Sequence, residues 1–402
     1  MLKTKPRTST QDLEIRTAAG PRRRGAGVTA SALGVIGLLA LGAAAPWAPA
    51  AYADDVEDRG ATPALASDPF GAPLRTRDFT FPSYLLLSFA PQPAAPLTRG
   101  KWAFEAHYSV INNFQVSAAV EDYLEGVRNG ERLPLDEADA AFILGLPEGQ
   151  GFYIDGEFEF FDFIAHYGVT DRLDLGVGIS YMEFSGGFLD GTIFDFHDQF
   201  GYGQQGRNFA ADEQFQIVIG QDGTGLALLD GPPDGGFGDP SVFFRYYLGE
   251  RGRWTFNVSG GVKIPLADED FLSSGSYDFG LNLTAQASWS RHALFVNLSA
   301  VEAGEFENQS VQPPLLPSLH VSFMRAFGRD LKSRLFLQVL AAEHAFSDLF
   351  DSSLSELEVQ VTLAFKRATR IGVFGIGLTE NILAFDNTPD IGIHLSWGYL
   401  MD

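Results

Sequence analysis

Residues 161–181 read FDFIAHYGVTDRLDLGVGISY. Phe161, Phe163, Ala165, Tyr167 and Val169 take every second position, with Asp162, Ile164, His166 and Gly168 between them. After the polar break Thr170-Asp171-Arg172, Leu173, Leu175, Val177, Ile179 and Tyr181 alternate with Asp174, Gly176, Gly178 and Ser180. Successive side chains on a strand point to opposite faces, so strict alternation on both sides of a short turn predicts a β-hairpin. One face is aromatic and aliphatic, and the other is mostly polar or glycine.

The same unit recurs along the chain. Trp102 to Val110 alternates before the hairpin, and after it follow 244–248, 254–264, 279–289, 294–299, 319–324, 335–339, 357–365, 371–379 and 391–399. In 371–379 the glycines leave the facing ambiguous. With the hairpin this makes twelve candidate strands, an even number, as a single-chain bacterial outer-membrane barrel requires. Connections after odd-numbered strands are long, and those after even-numbered strands are short. The expected fold is all-β: a transmembrane antiparallel up-and-down β-barrel of about twelve strands, apolar outside and polar inside. Short turns belong in the periplasm and long loops outside. Trp102, Trp254, Trp289, Trp397 and Tyr399 then fall near the periplasmic strand ends, as an interfacial girdle. A soluble sandwich or lipocalin-like barrel would bury the apolar face, and its exposed face would not be so rich in glycine, serine and asparagine.

Composition narrows the classes further. The absence of cysteine excludes disulfides and thiolate metal sites. Arg22, Arg23 and Arg24, an apolar run from Ala30 to Ala44 and Ala51-Tyr52-Ala53 form a signal peptide over 1–53, with cleavage after Ala53. Its removal leaves 21 of the 28 basic and 49 of the 51 acidic side chains, a formal charge of −28. Nucleic acid is not an expected partner of such a chain. Residues 54–100 lack alternation. The expectation is a periplasmic segment or a plug in the barrel mouth, the latter favoured because Leu85 to Leu87 are costly in water. The barrel spans 101–402. The stretch 112–156 is acidic, with a short helix expected near Ser117 to Val127, and 183–238 is a second long loop.

By parity the inward polar residues include Glu105, His107, Lys263, His320, Glu358 and His394. Closure of strand 1 on strand 12 makes His107 and His394 neighbours, with Glu105 two residues below. These are the candidate lumen-binding residues, weighed against a hydrogen-bonded network that props the wall. His107-Tyr108-Ser109, His320-Val321-Ser322 and His394-Leu395-Ser396 invite a nucleophile reading. Three copies facing the lumen are better explained by alternation, and no catalytic activity, metal or cofactor is expected. In the second loop His197 and Asp198 offer two metal ligands, too few to carry a metal site, and a loop-ordering contact with Arg207 is the expectation. Acidic strand tops (Asp239, Asp278, Glu343, Glu380, Asp390) suit a solvated rim or cations bridging lipopolysaccharide. Arg251, Arg253, Arg291, Arg329, Lys332, Lys366, Arg367 and Arg370 mark the opposite turns, facing anionic lipid.

Four pieces carry a family resemblance: Phe196-His197-Asp198-Gln199-Phe200-Gly201 with Gly206-Arg207; Gly238-Asp239; Ser274-Gly275-Ser276-Tyr277-Asp278-Phe279-Gly280; and Thr379-Glu380-Asn381 with Thr388-Pro389-Asp390-Ile391. From about residue 80 onward the chain resembles an uncharacterised Gram-negative outer-membrane barrel family, a domain of unknown function. The resemblance implies the barrel and the outer membrane, and no activity. The expected partners are outer-membrane lipid and lipopolysaccharide, the barrel insertion machinery and a small solute, hydrophobic ones included. The insertion machinery reads a terminal aromatic. Here Tyr399 ends the alternation and Leu400-Met401-Asp402 follow it. The expected function is a channel or transporter, and the alternative is a non-conducting adhesive or structural barrel with long acidic loops. Twelve strands make a narrow tube, further narrowed by inward Phe243, Tyr247, Phe295 and Phe336.

Overall fold

The computed structural model describes residues 71–401 apart from 148, 202, 269–270, 307–312, 346–356 and 382–387. The expected signal peptide at 1–53 lies outside the described residues. Fifteen strands follow in chain order: β1 (Trp102–Val116), β2 (Gly151–Gly168), β3 (Leu173–Ser185), β4 (Gln216–Gln221), β5 (Thr224–Leu228), β6 (Gly236–Phe237), β7 (Ser241–Arg251), β8 (Trp254–Lys263), β9 (Asp278–Trp289), β10 (His292–Glu302), β11 (Leu315–Phe327), β12 (Ser333–Ala342), β13 (Glu358–Thr369), β14 (Gly372–Glu380) and β15 (Ile391–Met401). The helices are α1 (Ala118–Arg128), α2 (Glu137–Leu144) and α3 (Asp190–Phe200).

Twelve of the strands, all but β4, β5 and β6, form a closed antiparallel barrel. The ring closes where β1 pairs with β15, from Trp102 opposite Met401 to Asn112 opposite Ile391. Each predicted strand lies on one of these twelve, and each short turn joins the expected pair. Closure matters because an open sheet edge cannot be satisfied in hydrocarbon.

The two faces follow the sequence parity. Leu281, Leu337, Leu363 and Ile376 point outward with 60%, 51%, 54% and 53% of their surface exposed. Between them Asn257, Thr284 and Ser322 are buried toward the interior. An apolar belt of this extent all round a protein is unfavourable in water at about 25 cal/mol per Å². Against lipid it is the expected surface of an outer-membrane-type barrel. The ambiguous strand resolves as β14, with Phe374, Ile376 and Leu378 outward and Gly375, Gly377 and Thr379 inward.

Residues 71–97 lie inside this wall. Ala72 starts near the short-turn end, where Lys366 Nζ donates to its carbonyl at 3.1 Å. The chain rises to a 3₁₀ turn at Ser83–Leu85 near the long-loop end. It then descends to Leu97, whose N–H donates to Asp174 at 3.1 Å. Phe79, Phe81, Tyr84, Leu85 and Leu86 join Phe158, Phe160, Phe184 and Phe215 in one buried apolar cluster. This is where the apolar run that is costly in water goes.

The long-loop end holds more order than the alternation predicts. The expected helix is α1, capped by Ser117. A second, α2, starts at Asp136 with Asp139 completing a capping box. The β4–β5 hairpin extends the sheet along the start of β2.

Candidate functional site: an occupied lumen

The inner wall grips residues 71–97 chiefly through side chains that bond the segment's backbone. Gln338 on β12 accepts from Leu74 N–H at 2.7 Å and donates to Leu74 O at 3.0 Å, as a neighbouring strand would. Asp278 accepts from Leu87 N–H at 2.8 Å, and Gln286 from Ala94 N–H at 3.0 Å. Pro93 O accepts from Asn257 at 2.9 Å and from Arg245 at 3.2 Å. A segment without regular structure must find partners for its buried backbone groups, and here the barrel supplies them.

Apolar anchors supplement these bonds. Leu74 packs with Phe295, Met324 and Phe336, and Leu87 and Phe89 pack with Val301 and Phe243. A Cβ on Gly280 would lie 2.6 Å from the Phe89 ring, so this wall position admits the ring only as glycine. Between the segment and β2, β3, β7 and β8 two cavities remain, of about 80 and about 10 Å³.

The predicted lumen residues divide. His107 Nε2 meets Glu105 at 3.2 Å. Across the closing seam Ser109 is opposite His394, and its hydroxyl lies 2.8 Å from His394 Nδ1. His394 Nε2 faces the Thr379 hydroxyl at 2.8 Å, and the ring stacks on Phe79 of the inserted segment. Glu105, His107 and His394 thus share one patch of wall. His320 does not join them: it sits on β11 between Asn297 and Leu340, four strands from β15 and five from β1 round the sheet. Thr80 of the segment donates to Glu358 at 3.1 Å.

The loop expectation needs correction. Arg207 is buried, but it reaches Asp190 at 3.0 Å, Asp390 at 3.0 Å and Asn112, with its guanidinium 4.3 Å above the Phe114 ring. Asp198 is exposed on α3, where helical spacing turns it away from buried His197. Asp190, at the start of the same helix, takes the role assigned to Asp198. Burial disfavours the Arg207 charge, but Asp390, Asp155 and Asp190 outweigh it and raise its pKa.

The acidic strand tops are likewise not all a solvated rim. Lys263 Nζ meets Asp239 at 3.0 Å and Asp278 at 3.4 Å, all three buried, and Asn381 donates to Asp390 at 3.1 Å. Short side chains on inward parity beside a buried cation are drawn to it rather than to solvent. The motif pieces of the sequence therefore converge on two ion-pair clusters, one around Arg207 and one around Lys263. The second also holds Leu87 through Asp278.

Sequence reasoning passed over Gln338, Gln286, Asn257 and Arg75. Parity marks the first three as inward, but amide and small polar side chains do not announce a partner. Arg75 and Arg77 stand in a segment with no period, so nothing gave their facing.

A search among curated proteins finds no match. Among solved structures the chain is similar to the COG4313 outer membrane channel from Pseudomonas putida F1, with 10% identity and a TM-score of 0.45, covering 78% of this chain and 100% of that one. It is also similar to Salmonella typhi OmpF in complex with daunomycin, with 8% identity and a TM-score of 0.29, covering 75% of this chain and 97% of that one. At these values neither likeness bears on what this chain does. The model of one family matches residues 137–400, well over half the sequence, and the chain belongs to that family, described as "Protein of unknown function (DUF3187)".

Proposed function

We propose that the protein is an outer-membrane channel for a small solute, with residues 71–97 as a plug whose release opens the lumen. The observation that carries this reading is the chemistry of the plug–wall contact. Between apolar anchors such as Phe295 and Phe336 the wall behind the plug is rich in Gly, Ser, Thr, Asn and Gln, and it holds the plug's backbone through polar side chains such as Gln338, Gln286 and Asn257. Each of these groups exchanges its plug partner for water at a modest net cost of about 1 kcal/mol. A wall meant only to be filled would be apolar, as ordinary protein cores are. The His-x-Ser triplets are read as part of this wall, since His394 meets hydroxyls at both nitrogens.

The aromatic cluster at the long-loop end favours a second reading, a non-conducting structural or adhesive barrel, because Tyr84 and eight phenylalanines close that end with apolar contacts. Planar-bilayer conductance separates the two. The chain from residue 54 onward should be largely silent, and the same chain lacking 71–97 should give steady steps. Silence from both, with heat-modifiable gel migration showing folded barrels, would reject the channel.

A further inference from the structure

The larger cavity is bordered by plug residues Arg75, Arg77, Leu85 and Leu86 and by wall residues Ile164 and Met182. The smaller continues toward the short-turn end beside His166, Asp174 and Arg245. Arg75, Ser88, Ala90 and Phe243 border both, and Arg75 is the charged group among them.

Most of the cations around these cavities stand in direct ion pairs. Arg77 meets Asp162 at 3.4 Å, Lys263 meets Asp239 at 3.0 Å and Arg245 meets Asp174 at 2.8 Å. Asp162 also takes the Ser180 hydroxyl, and Asp239 takes Ser273 and two backbone N–H groups. Glu105, whose field reaches Arg75, is hydrogen-bonded to His107 at 3.2 Å. Among the described residues Arg75 itself makes no hydrogen bond or ion pair. It is a partly buried guanidinium with five donors and a cavity in front of it.

We infer that this cavity is a binding site for a short-chain carboxylate, held by Arg75 with its alkyl end against Ile164 and Met182. A planar guanidinium fork matches a carboxylate with two parallel hydrogen bonds, and a buried charge is costly until it is paired. A cavity of about 80 Å³ suits a small guest of a few carbons. Ile164, Met182, Leu85 and Leu86 supply an apolar side that inorganic anions would not use. The inference rests on the channel reading in that it names the solute class, but the binding itself is read at equilibrium without any conductance.

The test is a titration of the chain, from residue 54 onward in detergent micelles, with ¹³C-labelled butyrate followed by NMR at constant ionic strength. Butyrate should bind saturably below about 10 mM, and its neutral isostere butyramide at least about tenfold more weakly. Arg75→Gln should weaken butyrate at least about tenfold, Arg75→Lys less, and Arg329→Gln on the short β11–β12 turn, away from the cavity, not at all. Heat-modifiable migration verifies that each variant is folded. Should Arg75→Gln not fold, Ile164→Trp fills the cavity while keeping Arg75 and should abolish binding. No saturable binding, equal binding by butyramide, equal competition by chloride, or wild-type binding in Arg75→Gln would each overturn the inference. Butyrate binding in a chain that never conducts would strike the channel reading alone.

Discussion

Gln338→Leu tests the plug contact at its most strand-like point. Its amide makes two hydrogen bonds to the Leu74 backbone, at 2.7 and 3.0 Å, and a third to Thr76 at 3.2 Å. Leucine keeps most of the side-chain volume and removes all three. At about 1 kcal/mol net for each backbone bond the plug loses roughly 2 kcal/mol, and more because Leu74 N–H and C=O then stay buried without partners. Two kcal/mol is about a 30-fold rise in the undocked fraction. The chain has no cysteine, so Ala72→Cys provides a single buried reporter two residues from the grip. When reclosing outpaces labelling, the rate with an impermeant maleimide follows the open population. We expect Gln338→Leu to raise that rate about 30-fold, with heat-modifiable migration unchanged. An unchanged labelling rate would show that Gln338 does not hold the plug.

Other perturbations address the remaining parts. Gly280→Val should expel Phe89, because the added Cβ falls 2.6 Å from its ring, and should raise labelling of the same reporter. If it left the labelling rate untouched, Phe89 would not be an anchor. Arg207→Met leaves Asp190 and Asp390 buried without their cation, which costs roughly 3–5 kcal/mol, and should expose the loop around α3 to protease while the barrel survives. Arg207→Lys should rescue it only in part, since a point charge cannot reproduce three contacts. Leu283→Arg on the outer belt should lower barrel stability in vesicles by about 2–4 kcal/mol, measured by reversible denaturant unfolding. No loss there would contradict the membrane-facing assignment.

Much of the barrel was legible because lipid and lumen impose opposite chemistry on alternate residues. Phe161 to Tyr181 has to alternate, and the seam that sets Ser109 opposite His394 follows once twelve strands close. The plug, residues 71–97, was legible as lying inside the wall only through the cost of leaving Leu85 to Leu87 in water. Its order comes from side chains of distant strands bonding its backbone, and this leaves no period in its own sequence. The β4–β5 hairpin did carry a signal: Asp222-Gly223, both at positive φ, form the two-residue turn that a hairpin favours. The capping box Asp136–Asp139 likewise announced α2. At the site, parity gave which residues face inward, but not where round the wall they stand. It therefore grouped His320 with His394 although β11 is far from β15, and it could not tell that Asp190 rather than Asp198 would face Arg207.

The central claim, that residues 71–97 gate the lumen, is tested most directly by a reversible tether. A Cβ at Gly377 would lie 2.5 Å from Leu74 Cδ2, so Leu74→Cys with Gly377→Cys brings two thiols within reach across the plug–wall contact. In a Gln338→Leu background, which loosens the same leg, single-channel recording should show openings under reductant, none once the disulfide forms, and openings again on reduction. Openings that persist with the disulfide demonstrably formed would contradict the claim.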